Sequence, residues 1–248
     1  MKKMTKNLYF YGVIAIIIVT LSIFLTVLFD SGYTVSGFSI KKAGTIHLSI
    51  DQENAWVFID EEAKHTTGSE FETITIPDAR PGLRTITVIK NGYIPWSKKV
   101  DIPSDGEVSI SPFIVKTFTN PTGIKITDPE YFQVQSFLVG FRSKVKTNYS
   151  TEKYSVSAVG NGIEIKCIEG DCSLPSIETD SPVTGVYQYD QNDNVLLYST
   201  TNSIYVSELD GGEKRITHMV YEGNNITFYP EGKTLFVKDK ADLIKLSI

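Results

Sequence analysis

The sequence predicts an all-β protein carried on one N-terminal transmembrane helix, and three observations predict it. Residues Leu8 to Phe29 run 22 positions without a charge. Almost every later segment alternates apolar with polar residues and is rich in β-branched and aromatic side chains. Gly, Asn, Asp or Pro interrupts those segments about every 8–12 residues, the rhythm of short antiparallel strands. No amphipathic helix is expected after the anchor.

Each element can be justified in turn. Residues 1–7 form a short basic tail. Over residues 8–29, "LYFYGVIAIIIVTLSIFLTVLF", a helix rising 1.5 Å per residue would span roughly 33 Å, enough to cross a bilayer. Lys2, Lys3 and Lys6 precede the run and Asp30 follows it, which favours a cytoplasmic N-terminus with the rest exported, hence a single-pass cell-membrane protein. A cleaved export signal would have about 7–15 apolar residues and a small-x-small site behind them. "LFDSGYTVSG" offers no such site, so the uncleaved anchor is the preferred reading. A buried helix of a soluble domain is the remaining alternative, but it would not carry Ile, Val, Leu and Phe on every face. The net charge is −5, and taking away the three positive charges of residues 1–29 leaves −8 on the remainder, a poor match to nucleic acid.

Residues 30–42 read as a juxtamembrane linker and residues 43–115 as a compact antiparallel β-sandwich. In "TIHLSI", Ile46, Leu48 and Ile50 share one face while Thr45, His47 and Ser49 share the other, which makes His47 a solvent-facing residue. "AWVFI" groups Ala55, Val57 and Ile59, with Trp56 and Phe58 opposite, so this sheet is expected to be covered on both sides. Pro81-Gly82 makes a turn into a strand with Ile86 and Val88 on one face, and Asn91-Gly92 supplies the next reversal. Tyr93 and Trp96 then flank Pro95 at a corner.

From about Gly44 to Val115 these residues resemble the PEGA domain. The corner is Gln52-Glu53-Asn54-Ala55, Asp60-Glu61 stands where Asp-Gly is usual, and Pro81-Gly82, Gly92-Tyr93 and Pro95-Trp96 agree in spacing. With no Gly at 61, the longer loop "EEAKHTTGSEF" is expected to replace a tight two-residue turn. The preceding anchor and the link from Tyr33 to Gly44 are similar to those of bacterial membrane proteins of this type. The resemblance implies an envelope location and a non-catalytic interaction module.

Residues 116–130 read as a linker and residues 131–248 as a second β-domain. "YDQNDNVLLYSTTNSIYV" from Tyr189 matches "FYPEGKTLFVKDKADLIKL" from Phe228 at an offset of 39, and "YSVSAVGNGIEIKC" lies about 41 residues earlier. A period near 40 of paired strands suits propeller blades. "FYPEGKTLFV" also resembles the strand entry of periplasmic WD-like propellers. Only about three such units fit, whereas a closed propeller usually needs about four or more. An open relative, blade edges covered by a partner, a truncated chain and an unrelated sandwich of repeated hairpins all remain open at this stage.

Chemistry in the sequence is sparse. No hydrolase, phosphate-binding or zinc motif occurs, and no cofactor or metal is expected. Asp190 to Asn194 imitates a calcium loop, but Val195 and Thr201 stand where its glycine and final acid belong. Cys167 and Cys172 flank a hairpin-like Glu-Gly-Asp and are candidates for a local disulfide outside the cytoplasm, with two free thiols as the alternative. Trp56, Tyr93 and Trp96 are the candidate binding residues, since such rings stack on sugars or anchor protein partners when exposed. Plain packing is the competing explanation of all three.

The expected function is a tether that binds an envelope protein or a cell-wall or surface-layer glycan. A sensor or assembly factor that oligomerises to complete a ring is one alternative, and a hydrolase with an unrecognised site is another.

Overall fold

The computed structural model describes residues 2–30, 32–36, 39–69, 71–117, 121–142, 147–168, 174–189, 192–209 and 215–248. It is mostly β, and the chain separates into two compact units: Met1–Ile89 with Ser97–Pro112, and Lys90–Trp96 with Phe113–Ile248.

Helix α1 covers Lys2–Asp30. Its 19 residues Phe10–Leu28 have a mean hydropathy of 2.6 and are not buried against the protein. Three of its hydroxyls bond to the turn before them: Thr20 Oγ1 donates to Ile16 O at 2.9 Å, Ser22 Oγ to Ile18 O at 2.8 Å and Thr26 Oγ1 to Ser22 O at 2.9 Å. Side chains that bond back to the preceding turn present no unpaired donor to hydrocarbon. The helix is long and apolar enough to cross a membrane, a property that anchors and export signals share. Within the stretch read as a linker, β1 (Tyr33–Ser36) and β2 (Ser39–Lys42) form an antiparallel hairpin.

The first unit continues with β3 (Gly44–Ile50), β4 (Trp56–Ile59), β5 (Glu62–Thr66), β6 (Glu72–Ala79), β7 (Gly82–Ile89), β8 (Trp96–Ile102, which enters this unit at Ser97) and β9 (Glu107–Ile110). One sheet has the order β6-β3-β9, with β3 and β9 parallel, and the other is β5-β4-β7-β8. Alternation decides which faces are buried: Ile46, Leu48 and Ile50 on the first sheet, and Val57, Ile59, Ile86 and Val88 on the second. The opposite face of β4 departs from expectation, because Trp56 is 48% exposed and Phe58 half-buried, so that sheet is covered on one side only.

The first tight hairpin also departs from expectation. β4 and β5 join through Asp60-Glu61 alone, with Ile59 opposite Glu62 and φ of 48° and 70° at the two turn residues. Two left-handed residues are what a type I′ turn demands, usually with glycine at the second. Asp60 offsets the strain, its carboxylate accepting from Thr85 N at 3.0 Å and from Arg84 Nη1 at 3.2 Å.

The second unit holds β10 (Thr122–Gly123), α2 (Tyr131–Arg142), β11 (Asn148–Ser150), β12 (Tyr154–Val159), β13 (Gly162–Cys167), β14 (Ile177–Glu178) and β15 (Val183–Tyr189). It continues with β16 (Asn192–Thr200), β17 (Ser203–Glu208), β18 (Thr217–Glu222), β19 (Thr227–Glu231), β20 (Thr234–Asp239) and β21 (Asp242–Ser247). These make three four-stranded antiparallel sheets, β11-β12-β13-β14, β15-β16-β17-β18 and β10-β21-β20-β19. The sequence repeats fall on them in register, since β13, β17 and β21 begin at Gly162, Ser203 and Asp242, 41 and then 39 residues apart. The outer strand of the third sheet comes from the start of the unit: β10 pairs with β21 where β14 and β18 pair with β13 and β17.

The crossings between sheets repeat as well. Leaving the first sheet, Thr179 N donates to Asn161 O and Val183 N to Gly160 O, at the β12–β13 turn. Leaving the second, Gly223 N donates to Asn202 O and Ile226 N to Thr201 O, at the equivalent β16–β17 turn.

Layering follows from burial. Val156, Ile163, Ile165 and Ile177 of the first sheet share a core with Val186, Leu196 and Tyr198 of the second. Tyr187, on the other face of the second sheet, meets Phe228 of the third edge-on at 5.1 Å. The second sheet is therefore covered on both faces, which is why β16 is buried continuously from Val195 to Thr200.

On the third sheet, the face away from Tyr187 carries Phe236 and Leu243, which pack against Val134 and Leu138 of α2. This helix corrects the expectation of strands there. Its Phe, Val and Tyr content suggests strand, but Tyr131, Val134 and Leu138 recur at helical spacing, and Asp128-Pro129-Glu130 is a helix-entry signal. Asp128 Oδ2 accepts from Lys125 N at 2.7 Å and Glu130 O from Val134 N at 2.9 Å, which fixes that entry.

Candidate functional site

The candidate aromatic residues separate by environment. Trp56 begins β4, its neighbours Ala55 and Val57 are buried, and its own ring is on the open face of the sheet. Beside this position residues 51–55 and 67–69 are tied together around Thr67, which is 1% exposed. Its Oγ1 accepts from Ala55 N at 2.8 Å and donates to Gln52 O at 2.7 Å, while Asn54 N donates to Thr67 O and Thr67 N to Ala55 O. Phe71, just before β6, is 73% exposed and held at a φ of 57°. A left-handed bulky residue is costly and persists only where the surroundings impose it. Here Glu72 does so, accepting from Gly68 N at 2.7 Å and pairing with His65 at 2.8 Å, which together hold its carboxyl below the usual range. Trp56 and Phe71 thus sit at one end of the first unit, where Ile50 pairs with Glu72. Reasoning from sequence missed Phe71 and Thr67, because each looks like an ordinary loop residue.

Tyr93 and Trp96 lie in a different setting. Residues 90–96 and 113–117 run antiparallel to each other within the second unit, through a Tyr93–Lys116 bridge, Ile94 N to Val115 O and Thr117 N to Gly92 O. Tyr93 is half-buried, with the Lys90 ammonium 4.8 Å from its ring centre. Trp96 is 1% exposed, and its Nε1 donates to Glu208 Oε1 at 2.7 Å. Of the two readings of Trp96, packing is the one this environment fits: a buried indole N–H takes a buried acceptor. Phe113 lies edge-on to His218 at 6.1 Å, and Lys116 Nζ donates to Ser247 Oγ at 2.7 Å. Trp96 and Phe113 thus join this pair of runs to the second sheet, and Lys116 joins it to the third. Burial lowers the His218 pKa from its ordinary 6.5.

Elsewhere in the second unit, Tyr221 Oη donates to Asp239 Oδ2 at 2.9 Å, and burial with that carboxylate raises the phenol to about 12. Asn224 N reaches Asp239 Oδ1 at 3.1 Å, so this carboxylate ties the second and third sheets together. Cys167 ends β13 and is disulfide-bonded; Cys172, the other cysteine of the sequence, lies outside the described residues. Asp190 of the calcium-like stretch also lies outside them.

An open groove of about 420 Å³ runs by the β12–β13 turn, lined by Val159, Asn161, Glu164, Ser176, Glu178 and Thr179 among others. Glu164 is paired with Lys166 at 3.3 Å, and Thr179 Oγ1 is taken up by backbone carbonyls of Asn161 and Ser181. No imidazole or thiol lines this groove among the described residues, and no three His, Cys, Asp or Glu side chains gather there or elsewhere as metal ligands. No protein-family model matches the chain, and no curated protein matches it.

Proposed function

We propose that this chain is a single-pass, membrane-anchored tether of the cell envelope that binds rather than catalyses. Its first unit acts as a PEGA-like sandwich, and its second as a propeller-like body of three blades. The observation that carries the reading is α1: 19 uncharged residues, none of them buried, joined through a short hairpin to a β-rich remainder. An exposed apolar surface of that size has no stable place in water. The basic tail ahead of it favours a cytoplasmic N-terminus, with both units outside.

The propeller-like reading is supported by strand order. Three sheets at 41- and 39-residue spacing, with the first strand of the unit closing the last sheet, follow the blade pattern. With α2 on the outer face of the third sheet, that face does not await a blade from a second copy, so ring completion is the weaker reading.

The proposed partner is a cell-wall or surface-layer glycan, bound at the Trp56 and Phe71 end, since exposed rings on a fixed scaffold suit stacking on sugar faces. The test is co-sedimentation of the detergent-solubilised full chain with isolated cell wall. Wild type is expected in the pellet, and Trp56→Ala and Phe71→Ala are each expected to bind at least about tenfold more weakly, the loss that removing one buried anchor produces. Wild-type protein that remains in solution would redirect the reading to an envelope protein partner. Protease that spares both units on cells stripped of their outer layers would overturn the orientation.

A further inference from the structure

The stretch between α1 and the first large sheet is a hairpin that leaves Tyr33 and Ile40 exposed on one face. In the β1–β2 register, Tyr33 lies opposite Lys42 and Val35 opposite Ile40, which puts Tyr33, Ile40 and Lys42 on one face and Thr34 and Lys41 on the other. Tyr33 is 39% and Ile40 53% exposed, and Lys41 is exposed. Two strands alone are marginal in water, and an unburied Tyr–Ile face does not help them.

The hairpin is nevertheless fixed to the first unit. Ala43 N donates to Gly32 O at 2.7 Å, Ser104 Oγ to Lys42 O at 3.0 Å, and the Lys42 ammonium pairs with Asp105, which raises its pKa.

We propose that the β1–β2 hairpin is a membrane-interface foot, seated in the lipid headgroup zone beside the end of α1. The proposal rests on α1 spanning a bilayer. Chain length names the occupant: three peptide units separate Asp30 from Tyr33, and a fully extended chain covers at most about 11 Å over that distance. The headgroup zone is the region where a spanning helix leaves hydrocarbon, and it takes the side chains this hairpin offers: a tyrosine with a polar tip, an aliphatic residue beside it and, on the other face, the exposed Lys41.

The foot also orients the first unit. β3 leaves the hairpin at Gly44 and runs seven residues to Ile50, about 23 Å at 3.3 Å per residue. Ile50 pairs with Glu72, so Phe71 lies at the end of the unit remote from the hairpin, as does Trp56. With the hairpin in the headgroups, the turn at residues 103–106 faces the lipid and the two exposed rings face away from it.

The experiment uses the full chain reconstituted into vesicles of phosphatidylglycerol and phosphatidylethanolamine whose acyl chains are brominated near the glycerol. Ile40→Trp and, as a second probe of the same face, Tyr33→Trp each add tryptophan emission to that of the wild type; Phe71→Trp is the remote control. The added emission at 40 and 33 is expected to be largely lost to bromine, and that at 71 retained. If carbonate washing leaves the protein in the membrane while emission at 40 and 33 survives, the foot is wrong and the anchor stands. Carbonate extraction of the protein would overturn the anchor and the foot together.

Discussion

Replacing Trp96 with phenylalanine tests whether the Pro95-Trp96 corner is a packed strut or a ligand surface. The indole is 1% exposed, and its N–H donates to Glu208, itself 4% exposed, at 2.7 Å. Phenylalanine keeps most of the ring but leaves a buried carboxylate oxygen short of a donor. A hydrogen bond to a charged group contributes about 1.5–3 kcal/mol, and the smaller ring loses about 1 kcal/mol of burial, so the total cost is about 2.5–4 kcal/mol. Urea unfolding of the detergent-solubilised chain, followed by far-UV circular dichroism, should show a lower midpoint for the second unit at unchanged slope. Glu208→Gln, which keeps an acceptor for the indole, should cost less, and the double variant should reveal coupling between the two positions. Acrylamide offers an independent check, because the chain has two tryptophans. Trp56→Phe should leave emission that resists quenching, and Trp96→Phe emission that is readily quenched. A stability change below about 0.5 kcal/mol, the level typical of a surface substitution, would refute the assignment of Trp96 to the interior.

Three other outcomes follow from the same structure. Thr67→Val removes the hydroxyl between Ala55 N and Gln52 O at a site 1% exposed, so unfolding should become easier by about 2–4 kcal/mol, read from the urea midpoint of the first unit. Glu61→Gly relieves a left-handed residue in the tight β4–β5 turn and should raise stability by about 1 kcal/mol; no gain would argue that φ at 61 is not strained. His218 has its pKa lowered by burial, so the folded state resists the proton that the unfolded chain accepts. Its contribution is intact above 6.5 and is lost as pH falls from there toward the lowered value, and comparing midpoints at about pH 7.5 and about pH 5.5 should show a shallower loss in His218→Gln.

What could be read from the sequence was local. The hairpins β12–β13, β16–β17 and β20–β21 each bring together residues within about fifteen positions of one another, so their spacing is written as a repeat near 40 and the structure places them in that register. The buried faces of β3 and β7 were legible for the same reason, because period-two alternation is a property of a few consecutive residues. α2 was not, although its apolar stripe and its Asp128-Pro129-Glu130 entry were present. Phenylalanine, valine and tyrosine favour strands by composition, and only the third sheet lying against Val134 and Leu138 decides for a helix.

The corner at residues 90–96 was illegible for a different reason, and it bears most on function. Gly92-Tyr93 and Pro95-Trp96 read as an exposed aromatic corner because sequence assigns them to the strands on either side. Their partners are distant: Trp96 meets Glu208 across 112 positions. A glutamate at the end of β17 carries no mark that an indole will cover it. Once Trp96 is assigned to the interior, Trp56 and Phe71, 48% and 73% exposed, are the aromatic rings at the remote end of the first unit that a partner can reach. The two tryptophans therefore do opposite work on the same physical grounds. One indole N–H is buried with an acceptor and holds a corner in place; the other ring stands on an open sheet face, where only a partner can bury it.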